Sequence, residues 1–383
     1  MTAQPAPSSF DSLSQACAQA RGGYAWWYVE AHDVDEGRFG LTLIVFAGSV
    51  FSPHYAAQLA HGRAATGLQH PAVHCALYEK APGAPCLSRQ RLWVMNEYPA
   101  DRLYTDATQI RVADTALRYR PGGLSIDIDE DTTRFFGRPG ARLQAQLTIQ
   151  TPLSAAQAPG PFVLGALPDG QTHYWQPIAP AATVQGDIAC GPLRVRLRGH
   201  AYCDRNFGSG RLEDTFRRWS WAHGVTTARD PAALVLYQAE RRDGSVLSMA
   251  LRYPPQPPGA TDEEITIPGP MVWRDESDCW GGAAGARTDF LWMHVPPRFH
   301  IGPYRADRNR RGSLEDAPFY ARYAATLSTP ADPALGPAGA ASTYDGVGEY
   351  LDLNRFRSRA VQKLLTYKTR LVPAPLPPRA IVP

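Results

Sequence analysis

The chain has 383 residues, 44% of them hydrophobic and 20% charged, and a net charge of only +3. That is apolar material for one large domain or two ordinary ones, and it excludes global disorder. A balance so near neutral, with no concentrated basic face, argues against nucleic acid as a partner.

Residues 1 to 20 read as a polar, Ala/Pro-rich flexible tail, without the basic head and apolar stretch of a signal peptide. Structure is expected from Gly22-Gly23. The aromatic run Tyr24 to Glu30 reads as a strand, and Arg38 to Val50 (RFGLTLIVFAGSV) as a second strand buried on both faces. Further strands are expected at His74 to Tyr78, Arg91 to Tyr98, Ala116 to Tyr119, Leu124 to Ile128 and Arg142 to Gln150. The last alternates polar and apolar residues. Helical periodicity is confined to short pieces, Ser14 to Arg21 and Ala360 to Leu365. Frequent Gly (33) and Pro (35) separate the apolar runs. The pattern is all-β, with a spacing that suits barrels or sandwiches.

Two Trp-bearing segments that end in Ala-His, Trp27 to His32 and Trp219 to His223, echo each other and suggest two related halves. The expected division is a tail at 1–20, an N-terminal β-domain at 21–195 and a C-terminal one at 196–383, with the site near the junction. Pro152 to Pro161, Pro254 to Gly269 and Thr329 to Gly339 read as linkers or surface loops. The six cysteines form no CxxC pair and read as reduced thiols. No window approaches the roughly 18 apolar residues that span a bilayer. The expectation is a cytoplasmic protein, soluble or peripherally attached.

The stretch Gly199 to Trp221 (GHAYCDRNFGSGRLEDTFRRWSW) draws most attention. In a strand, Tyr202 and Asp204 share a face. Strict alternation places them with Arg194, Arg196 and Arg198, and a bulge at Gly199 would move them to the apolar face. A carboxyl group in an apolar site has its pKa raised and serves as an acid near neutral pH. The competing reading is that Asp204 and Asn206 only shape a turn. His173 and Trp175, in GQTHYWQPIAP, likewise share a face: an imidazole to hold water and an indole to stabilise a cation, or simply an edge strand. Glu213-Asp214 reads as a solvated pair or a helix-start cluster. Scattered histidines show no metal-ligand spacing, and neither GxSxG, GxGxxG nor a P-loop is present.

The chain resembles the carotenoid 1,2-hydratases (hydroxyneurosporene synthases). The likeness runs from about Gly22 to Phe356. It is carried by GLTLIVFAGSVFSPHYA, HCALYEK with RLWVMNEY, the GHAYCDRNFG...LEDTFRRWSW block and GVGEYLDLNRF. The resemblance implies two lipocalin-like antiparallel β-barrel halves in tandem. It implies hydration, without a cofactor, of the terminal C1=C2 double bond of an acyclic carotene such as lycopene or neurosporene. The family's essential residues align with His173, Trp175, Tyr202 and Asp204. On that reading Asp204 donates the proton, Trp175 steadies a tertiary cation, Tyr202 either joins it or hydrogen-bonds Asp204 to fix its orientation, and His173 holds the attacking water. Arg205, next to Asp204, is expected to point away. Trp26, Trp27, Phe46, Phe51, Tyr55, Trp219 and Trp221 are the candidate lining of an apolar groove. A substrate dissolved in membranes implies peripheral contact with a membrane surface, through loops near Pro53 or Pro296-Pro297. Two rivals stay open: a lipocalin-like carrier without chemistry, and an isomerase or cyclase on the same scaffold.

Overall fold

The computed structural model describes residues 11–151, 160–167, 170–226, 232–253, 271–275, 295–331 and 341–373. Most of the expected linkers lie outside them. Twelve strands precede Gly208: β1 (Tyr24–Asp33), β2 (Phe39–Ala47), β3 (Ala72–Glu79), β4 (Arg89–Glu97), β5 (Leu103–Thr105), β6 (Gln109–Val112), β7 (Thr115–Arg120), β8 (Gly123–Arg134), β9 (Arg138–Gln150), β10 (Phe162–Ala166), β11 (Thr172–Cys190) and β12 (Leu193–Gly208). Eight more follow: β13 (Phe216–Val225), β14 (Ala233–Arg241), β15 (Val246–Tyr253), β16 (Met271–Asp275), β17 (Arg298–Ile301), β18 (Tyr304–Asp316), β19 (Tyr320–Thr329) and β20 (Ser342–Asp352). The two-residue β21 (Arg370–Leu371) ends the series.

They form two antiparallel sheets, so the expected all-β class holds. The first runs β21-β4-β3-β2-β1-β12-β11-β9-β8-β7-β6-β5, with β10 paired to β11 and only β21 parallel to its neighbour. The second runs β16-β15-β14-β13-β20-β19-β18-β17. The first sheet curls until β4 meets β8. There the Asn96 amide donates to Glu130 at 2.6 Å and to the Asp131 carbonyl at 3.0 Å. The β12 strand pairs with both β1 and β11, so it belongs wholly to the first sheet. The change of sheet therefore falls between Gly208 and Phe216, not at 195/196. The Trp-Ala-His echo has a topological counterpart. Strand β1 lies between β2 and β12, and β13 lies between β14 and β20.

Strand alternation divides the interior into three layers. On β1, Trp27, Val29 and Ala31 point into the first barrel, and Tyr24, Trp26 and Tyr28 point towards the second sheet. Leu234 and Leu236 on β14 fill the second barrel, while Val235 and Tyr237 face the first. Because β1 to β3 are covered on both faces, their sequences are apolar without alternation. Strand β9 has one wet face and alternates.

Two expectations are corrected. Residues 12–19 are not a flexible tail but helix α1 (Ser12–Gln19), capped by Asp11, with Ser14, Cys17 and Ala18 buried against the first sheet. Gly199 is not a bulge, because the β1–β12 register runs unbroken from Tyr24↔Gly208 to Asp33↔Gly199. The register shifts lie across the way on β11, between Pro177 and Ala182. Tyr202 and Asp204 do share the face of Arg194, Arg196 and Arg198. That face passes from solvent to interior where the second sheet covers it. Gly199 is instead needed for close approach, since a Cβ there would lie 1.9 Å from the His32 carbonyl oxygen. Gly199→Ala should cost about 2–3 kcal/mol by forcing β1 and β12 apart, read as a lower urea midpoint with an unchanged slope.

Candidate active site

The layer between the sheets contains a cavity of about 180 Å³. Asp204 reaches it from β12. Its walls include Trp26 and Tyr28 of β1, Trp219 and Trp221 of β13, Tyr237 of β14 and Glu349 of β20. The outer end is bordered by Gln90 and Trp93 of β4 and by Leu365 and Lys368 of helix α5 (Arg359–Lys368). Gln90 and Lys368 are exposed there, which marks the mouth.

Asp204 is 3% exposed. Its Oδ2 accepts two hydrogen bonds, from Trp175 Nε1 at 2.7 Å and from the Tyr202 hydroxyl at 2.7 Å. The Asn206 amide lies 3.3 Å from Oδ1. Burial pushes the Asp204 carboxyl up to about 7. The two donors on Oδ2 hold it back, and the carboxylates of Glu349 and Glu30 push it further up. With both lone pairs of Oδ2 taken, the proton of the neutral form sits on Oδ1. Arg205 points away as expected. It bonds Gln176 at 2.8 Å and Asp11 at 2.6 Å, and stacks over Phe207 on the barrel side of β12.

His173 does not join this group. Its Nδ1 is 2.8 Å from the Tyr24 hydroxyl and its Nε2 is 2.7 Å from Thr215 Oγ1, so protein groups engage both nitrogens. Burial lowers its pKa to about 3, which keeps the ring neutral. It lies outside the cavity lining. Trp175, wedged between Phe162 and Tyr237, also lies outside the lining and meets the acid through its N–H. Phe46, Phe51, Trp219 and Trp221 line the cavity. Trp27 does not, because alternation turns it into the first barrel and gives its place to Trp26. Nor does Tyr55, which sits on helix α2 (Pro53–Ala60), stacks on His70 and donates to the Gly23 carbonyl at 2.8 Å. Glu213 pairs with Arg211 in the short helix α3 (Leu212–Thr215), and Asp214 with Arg357.

Three residues went unnoticed in the sequence. Tyr237 is the register partner of Trp221, Tyr28 lies two positions after Trp26 on β1, and only the second sheet shows that they converge. The hydroxyl of Tyr237 and the Nε1 of Trp221 are buried at the cavity with no hydrogen-bond partner among the described residues. Glu349 accepts from Tyr320 at 2.9 Å and from Arg322, whose guanidinium is fully buried and lies 5.1 Å from the Tyr28 ring centre.

Fold and site together define an all-β protein with a buried carboxylic acid facing an aromatic cavity. The family model for carotenoid hydratase CrtC matches residues 43–276. The acyclic carotenoid 1,2-hydratase of Thiocapsa roseopersicina is 29% identical over 358 residues, covering 91% of this chain and 73% of that protein. The enzyme of that name from Rubrivivax gelatinosus is 33% identical over 224 residues, 58% of this chain and 50% of that one. The one from Cereibacter sphaeroides is 27% identical over 328 residues, 85% and 96% of the two chains. The chain belongs to the carotenoid hydratase family.

The raised Asp204 has a consequence for stability. Its folded carboxyl titrates near 7 against 3.8 for a free group, so the folded state holds the proton more tightly. The stabilising contribution is whole below about 4 and is lost as pH rises to about 7. An Asp204→Asn variant, which never charges, should gain stability relative to wild type across that window and hold the gain above it. Unfolding midpoints of the two proteins, compared at a series of pH values, check this.

Proposed function

We propose that the protein hydrates the terminal C1=C2 double bond of an acyclic carotene without a cofactor, with Asp204 as the proton donor. The observation that carries this reading is the carboxyl of Asp204, held on one oxygen by Trp175 and Tyr202 and facing an aromatic cavity with a pKa raised to about 7. A trisubstituted alkene is a weak base, and a neutral acid in a dry site can protonate it. The proton on Oδ1 moves to C2, and the π electrons form the new C–H bond. C1 becomes a tertiary cation among the ring faces of Trp221, Trp219, Tyr28 and Tyr237. Water adds to C1, and the proton it sheds returns to the Asp204 carboxylate. The product is a tertiary alcohol and the acid is restored.

The roles expected from the sequence shift accordingly. Trp175 holds the acid rather than the cation, and Tyr202 takes the second of its two expected roles, bonding Asp204. His173, bonded to Tyr24 and Thr215, ties β11 to β1 and to α3. Tyr237 takes over the water, because it lines the cavity and its buried hydroxyl has no hydrogen-bond partner among the described residues. A whole carotene greatly exceeds about 180 Å³, so only the chain end enters, and that end carries the reacting bond. The rest of the substrate stays in an apolar phase outside, which calls for peripheral contact with a membrane. Pro53 is half-buried in the first turn of α2, and Pro296 is buried; only Pro297 is exposed.

The direct test is turnover of lycopene in heavy water. Wild type should give a tertiary alcohol with deuterium at C2, and Asp204→Asn should be slower by about 10²–10⁴-fold. Lycopene that binds and returns unchanged would establish a carrier instead. Turnover by wild type should fall as pH rises through about 7, where the acid loses its proton. Trp175→Phe removes a donor that favours the charged form, so the falling limb should move to higher pH while activity at low pH persists. Tyr237→Phe should lower kcat and leave that limb in place. A Trp175→Phe limb that stays put, or moves down, would return Trp175 to the cation.

A further inference from the structure

Beside the cavity mouth, the turn between β8 and β9 carries two adjacent phenylalanines. Phe135 is 65% exposed and Phe136 64%. Phe136 has φ 62°, in the left-handed region that a bulky side chain seldom adopts. Gly137 follows with φ 64°, and a Cβ there would meet the Thr369 carbonyl oxygen at 2.8 Å. The strained turn is thus seated against the chain just after α5. Both rings pack on Tyr367 of that helix, at 6.4 and 5.3 Å between centres. Leu364, one turn earlier, and Leu371 extend the apolar surface.

Helix α5 has two faces. Val361 and Leu365 turn inward, and Leu365 reaches the cavity mouth. Lys363, Leu364 and Tyr367 turn outward. The helix has five polar or charged side chains and no acidic one. The exposed cations Arg134 and Arg138 flank the phenylalanines, and Arg359, Lys363 and Lys368 line the helix. Asp131 of β8 is engaged by Arg142 and Arg370, while Arg134, Arg138, Arg359 and Lys363 form no ion pair among the described residues. Lys368 lies 5.5 Å over the ring of Trp93, and both border the mouth.

We propose that this surface, built from the 134–138 turn and the outer face of α5, docks on an anionic lipid bilayer. Exposed aromatic rings ringed by unopposed cations match the acyl-headgroup boundary and its negative charge. The surface adjoins the rim of the cavity, so docking would set the mouth against the phase that dissolves a polyene. That last point rests on the proposed carotene substrate; the docking itself does not.

The test is flotation of the full chain with phosphatidylcholine vesicles, with and without phosphatidylglycerol. It is run beside turnover of lycopene embedded in the same vesicles and of lycopene in detergent micelles. Wild type should float with the anionic vesicles and be released by added salt. The variant pairing Phe135→Ser with Phe136→Gly, which also relieves the left-handed strain, should partition about tenfold less or weaker still. Arg134→Glu with Arg138→Glu should lose about tenfold on anionic vesicles and little on neutral ones. Both variants should turn over micellar lycopene at the wild-type rate and vesicle lycopene more slowly. Flotation of the phenylalanine variant equal to wild type would overturn the assignment, as would a wild type that ignores both vesicles. A wild-type dimer that this substitution splits, with flotation unchanged, would make the surface a contact between copies. Absence of micellar turnover by wild type would sink the hydratase reading while flotation still judged the surface.

Discussion

Everything at the centre of this protein depends on keeping one carboxyl group out of water and still hydrogen-bonded. Neither sheet does this alone. Strand β12 brings Tyr202 and Asp204, and its neighbour β11 brings the Trp175 N–H to the same oxygen. The second sheet then covers the acid with Trp219, Trp221, Tyr237 and Glu349. Two donors on Oδ2 offset part of the desolvation cost without a cation, so the group is satisfied but not trapped as a carboxylate. An arginine in that place would have held the pKa down and removed the acid. The nearest one in sequence, Arg205, is turned to the other face by strand alternation and tied to Gln176 and Asp11.

The cation that the interior does contain is kept at a distance. Arg322 is fully buried and is met by Glu349, Glu315, Thr42 and the face of Tyr28. Burying such a network carries a desolvation cost, but once it is buried, removing one partner and leaving the other charge unpaired costs far more. It holds Glu349 beside the cavity as an acceptor, and Glu349 in turn favours the protonated form of Asp204. The charge balance is thus arranged in two shells: an outer ion-pair network that is closed, and an inner acid that has only neutral donors. An incipient cation in the cavity would meet ring faces and the field of a carboxylate, with Arg322 already neutralised behind Tyr28.

Much of this was legible in the chain. Alternation in a strand was enough to pair Tyr202 with Asp204 and His173 with Trp175, and the fold class followed from short apolar runs between turns. What the sequence could not say is which face of a doubly buried strand looks where. Trp26 and Trp27 are equivalent in composition and opposite in function, because β1 is covered on both sides and shows no polar alternation to orient it. The same limit produced the expected bulge at Gly199. The face of β12 changes from wet to dry along its length with no break in register, and only the second sheet supplies the cover. Tyr237 and Glu349 came from strands remote in sequence, and no local pattern marks a residue for what packs against it from another sheet.

The size of the cavity carries the last step. The cavity beside Asp204 is short against a long polyene. On the proposed reading only the terminal carbons leave the apolar phase, and the aromatic walls return to them the contacts they give up. The middle of the chain presents double bonds too, but on that reading it would have to fold back on itself to reach Asp204, and the end would not. A pocket of this kind separates position along a chain far better than it separates one polyene from another, because the part of the substrate that differs lies beyond the mouth. That reading fits an acid covered by the second sheet and an outer end bordered by the exposed side chains of Gln90 and Lys368.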